Sequence, residues 1–203
     1  VGSGTGTETG KLAAALGVGA GGVTCLEASS SMRALLAARG FRVADSLSEA
    51  GRGFDAAAIL NVLDRTDDPG GLLDATVRAV EPGGLLIIAV VLPFQGKVYE
   101  GRMLSNWGRA NARGPRLPLP LEEMEPEEVD GGGASFEAGA AAFLEATLRL
   151  QPGLELERWT RLPYVSSGDH RKSHYLLDDA LMVFRVPETR EADDDPEGIS
   201  PWP

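Results

Sequence analysis

Cysteine is nearly absent from this chain of 203 residues: Cys25 stands alone. No internal disulfide framework can form. Its apolar neighbours in "GVTCL" mark the thiol as a small buried residue rather than a nucleophile. Histidine is almost as scarce, with two residues, His170 and His174. They stand four apart in "SSGDHRKSH", lack a convincing third ligand, and read as part of a polar loop rather than a metal site. Cations are few: 19 Lys and Arg against 30 Asp and Glu leave a formal net charge of -11. Nucleic acid is therefore excluded as the expected partner, because a phosphate backbone is gripped by clustered Lys and Arg. Long apolar runs are also lacking. The longest, Leu85 to Phe94, is about half of the ~20 residues a membrane span needs. No membrane span in this chain is expected. Aromatic residues make up 6%, and Trp107 and Trp159 read as packing residues. No internal repeat and no signal peptide is visible.

Glycine is what the chain has in quantity, 26 residues, and the opening "VGSGTGTETGKL" concentrates it. Three templates fit this segment to different degrees. A phosphate-binding P-loop needs Gly, four residues, then Gly-Lys-Ser/Thr. Gly10-Lys11 supplies the second part, but Thr5 and Leu12 occupy the other fixed positions. Lys11 instead begins the next helix. A dinucleotide fingerprint needs Gly-x-Gly-x-x-Gly, and Thr7 or Thr9 replaces its third glycine. What remains is Gly2-x-Gly4-x-Gly6, which resembles motif one of class I S-adenosylmethionine (AdoMet) methyltransferases. Alternating glycines let a backbone turn sharply and pass close to a ligand. A merely flexible turn is the alternative.

The first half alternates strand and helix signals. Gly22–Leu26, Phe41–Ala44, Phe54–Asn61 and the continuous apolar run Leu85–Leu92 read as strands. Lys11–Leu16, Ser30–Arg39 and Gly70–Val80 read as helices. This order predicts a doubly wound α/β sheet. Residues 97–133, with four of the 13 prolines, read as an irregular insertion or lid. Phe136–Leu150 is expected to be a helix, and Leu154–Leu162 and Ala180–Val186 a late antiparallel strand pair joined by a loop. A methyltransferase-like domain over 1–187 would then precede an acidic, solvated tail, 188–203.

Some residues are placed for chemistry. Glu27 ends the second expected strand, about twenty residues after the glycines, where a carboxylate can accept both hydroxyls of a ribose. It serves AdoMet and NAD alike. Asp45 would flank the adenine. Asn61 and Asp64 in "LNVLDR" follow a strand's carboxyl end, where open α/β sheets bind ligands. A plain turn and helix cap is the alternative there.

The blocks "LNVLDRTDDP", "AVVLPF", "TRLPY" and "YLLDDALMVF", in this order, resemble the DREV group, also called methyltransferase-like protein nine. The resemblance runs from the glycine loop to about Val186 and is weak across Lys97 to Gly133. It implies a Rossmann-like class I fold: a mostly parallel seven-stranded sheet with an antiparallel last strand and helices on both faces. Val1 would be the last residue of the first strand. It implies an AdoMet-dependent enzyme that methylates the pros nitrogen (Nδ1) of protein histidines in His-x-His sequences with small x, leaving S-adenosylhomocysteine. Gly2, Ser3, Gly4, Glu27, Asp45 and Asn61 would hold AdoMet. Asn61, Asp64 and Tyr175 would act on the substrate imidazole, with Tyr164, Pro93 and His174 completing the pocket. The expected partners are His-x-His proteins or peptides, met by a monomer inside the cell, with endoplasmic reticulum or mitochondria as family compartments. A small-molecule methyltransferase and a silent AdoMet-binding scaffold are the competing readings.

Overall fold

Local signals place most elements. The computed structural model describes residues 1–96, 98–100, 111–120, 135–167 and 173–188. Helix α1 (Thr7–Ala15) starts directly behind the glycines. Strand β1 (Thr24–Leu26) leads to α2 (Ser30–Ala38), which Ser29 caps by accepting the Met32 N–H. Strand β2 (Arg42–Ala44) and the short α3 (Leu47–Ala50) follow. Strand β3 (Phe54–Leu60) ends in a 3₁₀ turn, Leu63–Arg65. The Asp68 carboxylate accepts the Gly71 N–H, and Pro69 opens α4 (Pro69–Ala79), which is the favoured start for a helix. Then come β4 (Val80–Val91), the short strands β5 (Val98–Glu100) and β6 (Asn111–Arg113), and α5 (Phe136–Leu150). Two long strands, β7 (Glu155–Ser167) and β8 (His174–Arg185), close the described chain.

The sheet departs from the seven strands expected. Among the described residues, the largest sheet has four strands in the order β3-β4-β8-β7. Strands β3 and β4 are parallel, with Leu60 level with Ala89. Strand β8 runs antiparallel to both β4 and β7, so it alone opposes the common direction. Strands β1 and β2 form a separate parallel pair. Residues Val1–Ser3 lie between these sheets without being a strand. The Val1 nitrogen donates to the Ala58 carbonyl at 2.7 Å. The Gly2 and Ser3 amides donate to the Leu26 carbonyl at 2.8 and 3.2 Å.

Two further expectations need correction. Residues 163–167 and 174–179 are ladder, not loop, because β7 and β8 pair from Glu155↔Arg185 to Ser167↔His174, with one register shift between Leu156 and Arg158. Part of the expected insertion is ordered as a strand pair: β5 and β6 are antiparallel. Lys97, residues 101–110 with Trp107, residues 121–134, His170 and the tail beyond 188 lie outside the described residues. Trp159 is 48% exposed, so it does not serve as a core residue.

The core lies on one face of the four-stranded sheet. Leu86, Ile88 and Val90 of β4 alternate inward with Ala180, Met182 and Phe184 of β8. Leu72, Leu73 and Val77 of α4 and Phe143 of α5 cover them. Phe143 is fully buried and meets the Phe94 ring at a centroid distance of 5.6 Å. Truncating a buried Phe loses its transfer energy and leaves a cavity. Phe143→Ala is expected to cost about 3–5 kcal/mol, read from urea unfolding midpoints. A loss below about 1 kcal/mol would mean that α5 does not seal this core.

Candidate active site

The carboxyl ends of the parallel β3 and β4 point the same way, and β8 brings Asp179 level with Val91 at that edge. Open α/β sheets bind ligands at this edge. It carries a glycine cradle at one side and a polar cluster at the other.

The cradle is built by Gly2 and Gly4, whose φ angles are 65° and 51°. Residues with a Cβ rarely hold that conformation. At Gly2 a Cβ would sit 2.4 Å from a methyl of Val62, whereas at Gly4 it would meet nothing within 4 Å. The Gly4 backbone thus borders open space. Glu27 closes one side: its carboxylate accepts the Gly4 N–H at 2.8 Å and the Ser29 N–H at 2.9 Å. Each oxygen keeps further acceptor capacity, which suits ribose hydroxyls. A backbone kept free of side chains and a carboxylate beside it fit AdoMet. Ser3 joins this segment through its backbone. Asp45 stands at the end of β2, exposed, with its amide held by Glu49 at 2.7 Å. It lines a concavity of about 330 Å³ with Arg33, Val43 and Glu49, which includes none of Gly4, Glu27 or Asn61.

The polar cluster starts at Asn61, the first residue after β3. Its φ is 55°, the left-handed region that Asn tolerates better than most residues. Its amide N–H continues the ladder to the Ala89 carbonyl at 2.8 Å. Its side-chain nitrogen donates to Asp179 Oδ2 at 2.8 Å and toward Tyr164 Oη at 3.3 Å. A carboxylate only accepts, so this contact assigns the nitrogen and leaves Oδ1 as the other end of the amide. Asn61 Oδ1, Asp64 Oδ1 and Asp179 Oδ1 are all buried without a partner. Buried polar atoms are nearly always paired, so three orphaned acceptors in one cluster mark a place for a donor.

The cluster's electrostatics follow from burial. Desolvation pushes the Asp64 carboxyl above its usual 3.8, against the pull of Arg65 3.6 Å away. Burial likewise raises Asp179, opposed by the Asn61 hydrogen bond and reinforced by the charges of Asp64 and Asp178. Tyr164 is raised by burial and then by the Asp179 charge. A carboxyl raised in the folded state stabilises most below its unfolded pKa and loses that contribution as pH rises through the folded value. Asp64→Asn is therefore expected to match or exceed the wild-type melting temperature at neutral pH. The difference shrinks on acidification toward the usual carboxylate range. A melting temperature lowered at neutral pH and restored at no pH would contradict this sign.

The β7–β8 hairpin presents the tyrosines. Tyr164 faces Leu177 and Ser166 faces Tyr175 in the ladder, so Tyr164, Tyr175 and Asp179 share one face by the two-residue period. His174 pairs with Ser167 at the outer end, exposed, on the opposite face, with its Nδ1 3.2 Å from Ser173 Oγ. Pro93 is exposed just past β4, beside Leu92, whose amide donates to the Asp178 carbonyl. Asp179 escaped the reading of the sequence. Its signal was an acidic residue inside "LLDDALMVF", where alternation turns one of two neighbouring aspartates inward. Asp178 turns out to Arg161 at 2.8 Å, and Asp179 is 4% exposed.

The sequence model of the DREV methyltransferase family matches residues 1–186. No curated protein sequence matches the chain. Among solved structures, the complex between the Haloferax volcanii Trm112 methyltransferase activator and a methyltransferase is similar, at 15% identity. It covers 94% of this chain and 81% of that one, with a TM-score of 0.54. A structure on conversion of a disulfide bond into a thioacetal group during echinomycin biosynthesis is 20% identical. It covers 93% of this chain and 75% of that one, with a TM-score of 0.52. The DhpI–SAH complex is 21% identical over 93% and 75% of the two chains, with a TM-score of 0.50. At these identities the likeness is one of fold: Rossmann-like, with a mixed sheet.

Proposed function

We propose that this chain, which belongs to the DREV methyltransferase family, methylates the pros nitrogen of protein histidines in His-x-His sequences with small x. The family makes it an AdoMet-dependent methyltransferase; the substrate is our reading. The observation that carries it is the set of orphaned acceptors, Asn61 Oδ1 and Asp64 Oδ1, at the carboxyl end of β3.

When bound, AdoMet supplies a methyl group on a sulfonium, which leaves as the thioether S-adenosylhomocysteine. The chain's residues need only position the acceptor nitrogen in line with it. A histidine near pH 7 is mostly neutral and has one nucleophilic nitrogen, so no strong base is required. Attack through the pros nitrogen requires the proton to sit on the tele nitrogen. An acceptor at Asn61 Oδ1 or Asp64 Oδ1 holds that N–H and chooses the tautomer. As the N–C bond forms, the ring becomes an imidazolium, and the Asp64 carboxylate stabilises the charge. Tyr164 and Tyr175 orient the ring or the second histidine of the pair.

The test compares a small-x His-x-His peptide with free imidazole compounds, using labelled AdoMet. Label should enter the peptide at least about tenfold faster. Equal or faster labelling of the small compounds would move the substrate to that class.

A further inference from the structure

We infer that Asp179 is the positioning residue that sets which way the Asn61 amide faces, and through it whether the substrate's pros nitrogen is left unprotonated and free to attack. The inference rests on the histidine reading above. Rotating an amide by a half turn exchanges its oxygen and nitrogen at almost no steric cost. Only hydrogen bonds choose between the two states. Around Asn61 the choice is made by Asp179, whose Oδ2 accepts from Nδ2 at 2.8 Å. Tyr164 Oη, at 3.3 Å, can donate or accept and so does not discriminate.

Asp179 is built for this task. It lies on β8, bounded by the fully buried Ala180, and is itself 4% exposed. Its register is locked, because Val91 faces it on β4 and Leu162 on β7. Strand β3 does not pair with β8, since β4 lies between them. The side-chain bond therefore ties the chain after β3 to a strand two places away. With Nδ2 so held, the amide oxygen is presented as an acceptor and remains orphaned. An acceptor there selects an imidazole whose tele nitrogen carries the proton. A flipped amide would present N–H groups instead, and these select the opposite tautomer.

Asp179→Asn keeps size and shape but allows both amide orientations. Wild-type enzyme should give pros-methylhistidine on a His-x-His peptide. Asp179→Asn should lower the rate about tenfold, with the product still pros-methylhistidine, because a flipped amide holds the unreactive tautomer. The exchanged pair, Asn61→Asp with Asp179→Asn, restores an acceptor at the pocket and a donor behind it, so the rate should recover. S-adenosylhomocysteine affinity and melting temperature report folding for each variant. A rate within about twofold of wild type in folded Asp179→Asn would overturn the inference alone. So would an exchanged pair no faster than the single variant. A wild-type enzyme that makes no pros product overturns the histidine reading and this inference with it.

Discussion

Asp64→Asn is expected to lower methyl transfer to a His-x-His peptide by roughly 10²-fold, mostly in kcat. The substitution keeps the side chain's volume and removes its charge. In the ground state the imidazole is neutral, so binding changes little. In the transition state a positive charge grows on the ring, and Asp64 is a carboxylate beside the Asn61 amide with a buried, unpaired oxygen. An interaction stronger in the transition state than before it appears in kcat. Arg65 does not compensate: it already pulls on the same carboxylate and is 61% exposed. The stability prediction sharpens the test, because the same variant is expected to keep its melting temperature at neutral pH. Loss of rate with retained stability separates a role in the reaction from a role in folding. Full activity in both Asp64→Asn and Tyr175→Phe would dismantle the pocket described above.

Gly4→Val is expected to weaken AdoMet binding by about 10²-fold or more. Two costs act at Gly4. Its φ of 51° disfavours a β-branched residue, at about 1–2 kcal/mol. The added side chain would also enter the open space that the ligand needs, since nothing of the protein lies within 4 Å of a Cβ there. Gly17 separates these costs. Its φ is 70°, and a Cβ there also meets nothing within 4 Å, but it lies just after α1, away from Glu27. Gly17→Val should lower the melting temperature by a comparable amount and leave AdoMet affinity within about twofold. Equal losses of affinity in the two variants would mean that strain, not occupation of a cradle, explains the effect.

Much of the scaffold was legible because its signals are local. Helix α5 has the bounds read from the sequence, Phe136–Leu150, and in the structure Ser135 caps it by accepting the Ala138 N–H. The run "LLIIAVVL" became the central strand because it must be apolar on both sides. Asn61 and Asp64 were visible as polar residues after a buried strand. What could not be read depends on distant pairing. Strands β7 and β8 take up both flanks of "PYVSSGDHRKSHYLLDD", whose polar middle resembles a loop, and only the register shows that Tyr164 and Asp179 share a face. Four exposed apolar residues, Trp159, Leu162, Val165 and Leu176, blur the alternation there. Asp179 was hidden for the same reason: its partner, Asn61, is 118 positions away. The seven-strand expectation came from the family resemblance, and the described residues divide their strands among three sheets.

The central claim is that the acceptors after β3 fix a neutral histidine with its proton on the tele nitrogen. The most direct measurement is one reaction: the chain, labelled AdoMet and a small-x His-x-His peptide, followed by acid hydrolysis and separation of the two methylhistidines. The account predicts label in pros-methylhistidine. Label confined to the tele isomer, or none in the peptide while a small metabolite is methylated, would contradict it.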